Sequence, residues 1–297
     1  MRTAMGIRLV VTDMDNTLYS WVDYIVPAVE ALTDAVTRAT GHTRLSVIQA
    51  LKEVYTRYES NEYPFALQES RLFEAFPDFG SFDKLVIEPA RVAFANARRK
   101  YLVPYKGVMD TLSELRARQV LVVALTDAPK NPAQQRARLL GLDAHFAAMF
   151  TMPGFTFPRH QDGTPLVESR IVEKQEAGAY ETKCEAIALP REWEKPSTLG
   201  LERILKTYGL PPSQVLVVGD SLKKDIAIAQ ATGCHHAWAE YGTYVPTEYR
   251  ERLDIVSSPA ITRRHAAHVL EAGAQPIAPT HALSNFAQVL ELVERLG

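Results

Sequence analysis

Short runs of branched apolar residues, each closed by polar residues and separated by stretches of helical periodicity, constrain this chain most. Residues 7–11 form such a run. It reads as a buried strand of a parallel sheet, because a strand covered on both faces is apolar at consecutive rather than alternate positions. Residues 120–125 and 215–218 repeat the pattern, and residues 146–152 and 235–239 read as further short strands. Strands interleaved with helices imply a doubly wound parallel sheet, an α/β fold.

The helical signals divide the chain. Ile25, Val29, Leu32 and Val36 recur at spacings of three and four across residues 24–40, which end at Gly41, a favourable helix cap. Residues 45–58, 65–76 and 82–101 continue as helices with no strand among them. The prediction is a helical cap, residues 20–104, inserted between the first and second strands, with the Pro104 to Gly107 stretch marking the return. The α/β core then comprises residues 1–19 and 105–297. Helices are expected at 109–118, 133–140, 197–208 (capped by Ser197 and closed by Gly209), 225–232 (closed by Gly233) and 286–296. Residues 246–274 read as helical surface segments and 277–278 as a last edge strand. Residues 153–194 lack a firm period and read as an irregular insertion within the core, with a hairpin around Asp162-Gly163.

Composition excludes several partners. A formal charge of −2 leaves no polybasic footprint, so nucleic acid is not expected. No run approaches a membrane span and no signal-peptide core opens the chain. Two cysteines without CxxC spacing, Cys184 and Cys234, fit a reducing compartment, and a cytoplasmic location is expected. The oligomeric state is not legible.

At the carboxyl end of the first strand stand Asp13 and Asp15, then Thr17. Ligand sites of open α/β sheets lie outside the carboxyl ends of strands. Two close carboxylates are costly unless a cation or a shared proton relieves them. The bland alternative is a strand ending in a polar, asparagine-containing turn.

Asp13-Met14-Asp15-Asn16-Thr17-Leu18 resembles the DxDxT motif of the haloacid-dehalogenase-like (HAD) superfamily, most of whose members are phosphatases. Three further points resemble that family's motifs in order: Thr126 after the second strand, Lys195 in Glu194-Lys195-Pro196-Ser197, and Gly219-Asp220-Ser221 through Asp225. The resemblance implies a Rossmann-like core, a cap of the type called C1, and a Mg²⁺-dependent phosphohydrolase acting on a small phosphomonoester. It makes Asp13 the nucleophile that forms an aspartyl-phosphate, and Asp15 the general acid and then the base. An acid at Asp15 points to phosphoryl transfer and away from dehalogenation. Thr126, Asp127 and Lys195 are the candidate phosphate-binding residues: Thr126 would bind phosphate oxygens, while Asp127 reads as a loop or capping residue there without a catalytic role. Lys195, preferred over Lys174 and Lys183 for its Lys-Pro context, would offset the negative charge. Mg²⁺ would be held by the side chains of Asp13 and Asp220 and the main-chain carbonyl of Asp15, with Asp225 an outer ligand or a residue that orients water.

Two rivals remain open: a phosphomutase using the same phosphoenzyme, and a binding protein that keeps the fold without catalysis. Other residues have plainer readings. His235-His236 is a strand-end or surface pair, Lys223-Lys224 a solvated face, and Arg98, Arg99 and Lys100 a charged helix end. The aromatic group Tyr55, Tyr58, Tyr63 and Phe65 reads as packing between cap helices.

Overall fold

The computed structural model describes residues 6–257 and 277–297. Six parallel strands form one sheet in the order β4-β3-β2-β1-β5-β6. They are β1 (Leu9–Thr12), β2 (Leu121–Pro129), β3 (Ala148–Met152), β4 (Glu185–Ala188), β5 (Val215–Gly219) and β6 (His235–Trp238). β1 lies at the centre, paired with β2 on one side and β5 on the other, and all four of its residues are buried. Burial on both faces is why its sequence is continuously apolar. The chain winds outward from β1 through β2, β3 and β4, then reverses to β5 and β6. The switch point lies between β1 and β5, and open α/β sheets place their ligand sites outside the carboxyl ends of the strands at such a point.

Between β1 and β2 the chain is helical: α1 (Trp21–Thr40), α2 (Arg44–Tyr58), the short α3 (Phe79–Phe82) and α4 (Glu88–Tyr101). Ser20 caps α1, its hydroxyl accepting from the amide of Asp23, and Gly41 closes it at φ 71°. A π-helical turn, Asp83–Ile87, joins α3 to α4, so residues 79–101 run as one helix. Residues 65–76 are not the predicted α-helix; they hold turns and a 3₁₀ segment, Arg71–Ala75. This helical stretch has a hydrophobic cluster of its own, including Val47, Leu51, Val54, Tyr55, Leu72, Phe82 and Val86. Its two connections to the sheet cross near Tyr19, which bridges to Asp15 and to Pro104, while the Tyr105 amide donates to Leu18 O at 2.9 Å.

The helices after the second strand are α5 (Val108–Ala117), α6 (Lys130–Leu140), α7 (Ser169–Glu176), α8 (Leu199–Tyr208), α9 (Ala227–Thr232), α10 (Thr247–Val256) and the C-terminal helix Gln288–Arg295; α7 buries no residue, and α10 packs on α1 and α2. Most predicted boundaries fall within a few residues of these. Ser197 does not cap α8: the cap position is Thr198 and no side chain bonds there. Residues 277–278 form no strand; instead the amide of Trp238 donates to His281 O and that of Leu283 to Trp238 O, both at 2.8 Å. Of the helical reading at 246–274, the portion from 258 onward lies outside the described residues.

Residues 153–194 are more ordered than their sequence implies, because they supply β4, the edge strand beside β3, and α7. Their first part turns back at the expected hairpin, with the His160 amide donating to Thr164 O at 2.8 Å. Phe155 and Phe157 pack edge-on against Tyr63 and Phe65, and Tyr58 stacks on Tyr63 with centroids 3.6 Å apart. The aromatic rings therefore join α2 and the turns that follow it to the insertion, and these ring pairs do not run from helix to helix as expected.

Candidate active site

Four separate segments meet at the carboxyl edge of the sheet. The Asp13 amide donates to Val218 O at 2.8 Å, which extends the β1–β5 ladder one residue and fixes the Asp13 backbone beside the end of β5. Asp220 follows β5 directly, and Asp225 lies in the π-helical turn Leu222–Ile226. One carboxylate oxygen from each of Asp13, Asp220 and Asp225 lies within 4.8 Å of the others. Gly219 permits this approach, since a Cβ there would stand 2.2 Å from Cγ of Asp225.

Lys195 enters from the loop between β4 and α8, across a cis Lys195-Pro196 peptide. Its ammonium donates to Asp225 Oδ1 at 2.6 Å, Asp13 Oδ1 at 2.8 Å and Leu125 O at 3.2 Å, and the residue is 4% exposed. Lys174 and Lys183, in contrast, are exposed. Two buried carboxyl groups, of Asp13 and Asp225, and the half-buried one of Asp220 face a single ammonium, so acid groups outnumber the cation. The electrostatics reflect this. Burial pushes the Asp13 carboxyl up to about 7, Lys195 opposing and Asp225 adding to the rise. Burial, Asp13 and Asp225 together drive the Asp220 carboxyl well above the usual range. The Lys195 ammonium is buried, yet its pKa is raised because Asp13 and Asp225 outweigh the desolvation. A compact, oxygen-only, net-negative donor set of this kind suits a hard divalent cation such as Mg²⁺. Asp225 has both oxygens engaged, Oδ1 by Lys195 and Oδ2 by the Ser221 amide at 3.1 Å, so it fits a supporting position better than a ligating one.

Thr126 is buried within β2, and its hydroxyl accepts from the Ala128 amide at 3.1 Å, shaping the loop. Asp127 turns away from the acids. Its Oδ1 accepts from the Lys195 amide at 3.0 Å and its Oδ2 pairs with Lys224 at 2.8 Å. Its carboxyl lies below the ordinary range: burial acts to raise it, but Lys195 and Lys224 together prevail. Asp127 is thus a brace for the lysine loop and not the expected phosphate-binding residue, because both of its oxygens are engaged by Lys195 and Lys224. The Lys223-Lys224 reading as a solvated face does not hold, because Lys224 is mostly buried between Asp127 and Glu194 and the Lys223 amine is buried as well. His235 and His236 open β6; His236 is buried and accepts from the Thr280 amide at 3.3 Å, so the pair lies at a strand end and is not a surface pair.

Asp15 stands apart from the cluster, facing a group that sequence reasoning missed. Its Oδ2 accepts from Arg136 Nη2 at 3.0 Å. Arg136, on α6, also donates from Nε to Tyr19 OH at 2.8 Å and from Nη1 to Tyr24 OH at 3.0 Å, and it pairs with Glu62. At 2% exposure it is among the largest fully buried side chains. Its position between Ala133 and Ala137 on the buried face of α6 was the available signal: a charge on a small-residue face needs partners. The Asp15 carboxyl is raised chiefly by burial, with Arg136 opposing and Glu62 adding to the rise.

Comparison with known proteins places these observations in a family. Residues 7–157 match the haloacid dehalogenase-like hydrolases, and residues 192–287 match a HAD-hydrolase-like family. A phosphoglycolate phosphatase of Chromobacterium violaceum is 29% identical over 138 residues, 46% of each chain. Another, of Aliivibrio fischeri, is 47% identical over 49 residues, 16% of this chain and 21% of that one. The chain thus spans about half of the first curated relative and about a fifth of the second. Among solved structures, a 2-haloacid dehalogenase from Pseudomonas syringae pv. Tomato superposes with a TM-score of 0.56 at 19% identity, covering 98% of this chain and all of that one. A HAD phosphatase from Thermococcus onnurineus gives 0.50 at 15% identity, covering 97% and 98%. At such identities the likeness is one of fold.

Proposed function

Since the chain belongs to the haloacid dehalogenase-like hydrolase family, we propose that it is a Mg²⁺-dependent phosphohydrolase acting on a small phosphomonoester through an aspartyl-phosphate. The observation that carries this reading is the Lys195 ammonium bridging Asp13 and Asp225 beside Asp220, where three carboxyl groups outnumber one cation. The phosphoglycolate phosphatase relatives support the choice of a phosphomonoester.

Asp13 and Asp220, with the main-chain carbonyl of Asp15, would hold the metal, and Asp225 would stand outside it. When bound, Mg²⁺ supplies positive charge against the phosphoryl oxygens. Lys195 holds Asp13 in place and offsets charge that develops in the transition state. A carboxylate oxygen of Asp13 attacks phosphorus, and the bond to the leaving oxygen breaks with its electron pair. Asp15 passes its proton to that oxygen, so an alcohol departs. Asp15, now ionised, takes a proton from water as the water attacks phosphorus, releasing inorganic phosphate and restoring the Asp13 carboxylate. Thr126 shapes the β2 loop on the phosphate side. The helical residues 20–104 would act as the cap that excludes bulk water.

The test is turnover of an aryl phosphate with Mg²⁺ present. Asp13→Asn is expected to abolish phosphate release while the protein remains folded by circular dichroism. Retained turnover in that variant would remove Asp13 as nucleophile. With a sugar monophosphate, free phosphate rather than an isomer is expected, and an isomer would establish a mutase instead.

A further inference from the structure

The chemistry proposed for Asp15 needs one of its oxygens to hold a proton and face the leaving group, and the surroundings of the two oxygens differ sharply. Oδ2 is taken by Arg136, and the Tyr19 hydroxyl is a further donor toward this carboxyl. Oδ1 is buried with no partner among the described residues. A buried acceptor left unsatisfied is destabilising, so the arrangement is costly unless a further group is received there. Arg136 cannot itself receive substrate: Nε, Nη1 and Nη2 are each committed to Tyr19, Tyr24, Glu62 or Asp15, and the side chain is buried. Its guanidinium does not deprotonate, and its planar fork fixes the orientation of whatever carboxylate it grips. Glu62 draws on the same cation, so Asp15 is gripped without receiving the whole positive charge.

We infer that Arg136 is a positioning residue: it clamps Oδ2 of Asp15 so that Oδ1 is the oxygen that serves the leaving group. The clamp is assembled from three parts of the chain. Arg136 comes from α6, Tyr19 from the crossing connection beside the sheet, and Tyr24 and Glu62 from the helical stretch. The orientation of Asp15 is thereby tied to the seating of those helices. This inference rests on the phosphohydrolase reading.

A clamp of this kind matters only where the leaving oxygen needs a proton. The experiment compares kcat/KM, which reports the steps through release of the alcohol, for an alkyl phosphate and for p-nitrophenyl phosphate, whose phenolate departs unassisted. Arg136→Met is expected to lose about 100-fold on the alkyl ester, within the range of general acid catalysis, and only a few-fold on the aryl ester. Arg136→Lys keeps the charge but not the fork, and is expected to remain impaired on the alkyl ester alone. Tyr19→Phe, which removes the acceptor of Nε, is expected to shift selectivity the same way by about 10-fold, and it serves if Arg136→Met fails to fold. Equal losses on the two esters in Arg136→Lys and Tyr19→Phe, or no loss, would overturn the inference while the phosphatase reading stands. A parent protein inactive on both esters would overturn that reading and this inference with it.

Discussion

Replacing Lys195 with methionine should be the most damaging single change that keeps side-chain volume. Methionine retains an unbranched apolar stem, so little cavity is created. What disappears is one ammonium that donates at 2.6 Å to Asp225 and at 2.8 Å to Asp13, in a residue only 4% exposed. Removing one partner of a buried, hydrogen-bonded ion pair costs about 3–5 kcal/mol, because the remaining charge stays buried without compensation. Here one cation serves two carboxylates with a third alongside, which places the loss near the upper end, about 5 kcal/mol. For a chain of this size about 2 °C accompanies each kcal/mol, so melting should fall by about 10 °C. The assay is a thermal melt in EDTA and again with excess Mg²⁺. The metal is expected to narrow the gap between variant and parent, since a divalent cation supplies charge where the ammonium was lost. Turnover of an aryl phosphate should drop by about 10²–10³, the scale of losing one preorganised electrostatic contact. A variant melting within about 2 °C of the parent in EDTA, or a gap that widens with Mg²⁺, would refute the view that Lys195 neutralises a buried acid cluster.

Two further changes probe the neighbourhood. Gly219→Ala places a Cβ 2.2 Å from Cγ of Asp225; the carboxylate must move off Lys195, and a loss of about 1–3 kcal/mol with reduced turnover is expected, whereas a fully active variant would show the loop to be pliant. Asp83 in the π-helical turn is pushed up to about 6 from 3.8, first by burial and then by Glu168. A carboxyl raised on folding contributes stability that is full below about 3.8 and is lost as pH climbs through about 6. Asp83→Asn, neutral throughout, should therefore gain on the parent in thermal melts between pH 5 and pH 7.5, and a difference independent of pH would contradict this.

The central strands and the placing of Asp13 and Asp15 at the end of β1 are legible from residue order, because a doubly covered strand writes itself as a continuous apolar run and its polar successor must lie at the sheet edge. The Gly41, Gly209 and Gly233 helix ends are legible for the same local reason: a left-handed cap needs glycine. β4 is not, since an edge strand is half-exposed and its residues, Glu185–Ala188, carry no apolar run. Nor is the fate of the charged side chains. Nothing local separates Lys224, held between Asp127 and Glu194, from an ordinary surface lysine, or marks Arg136 as the partner of an acid 121 residues away. Sequence alone determined the five apolar strands, their order along the chain and the acids that follow the first of them, because backbone periodicity is a short-range property. Which cation meets which acid was decided only in three dimensions, because a buried charge is tolerated solely by the partners that folding brings to it.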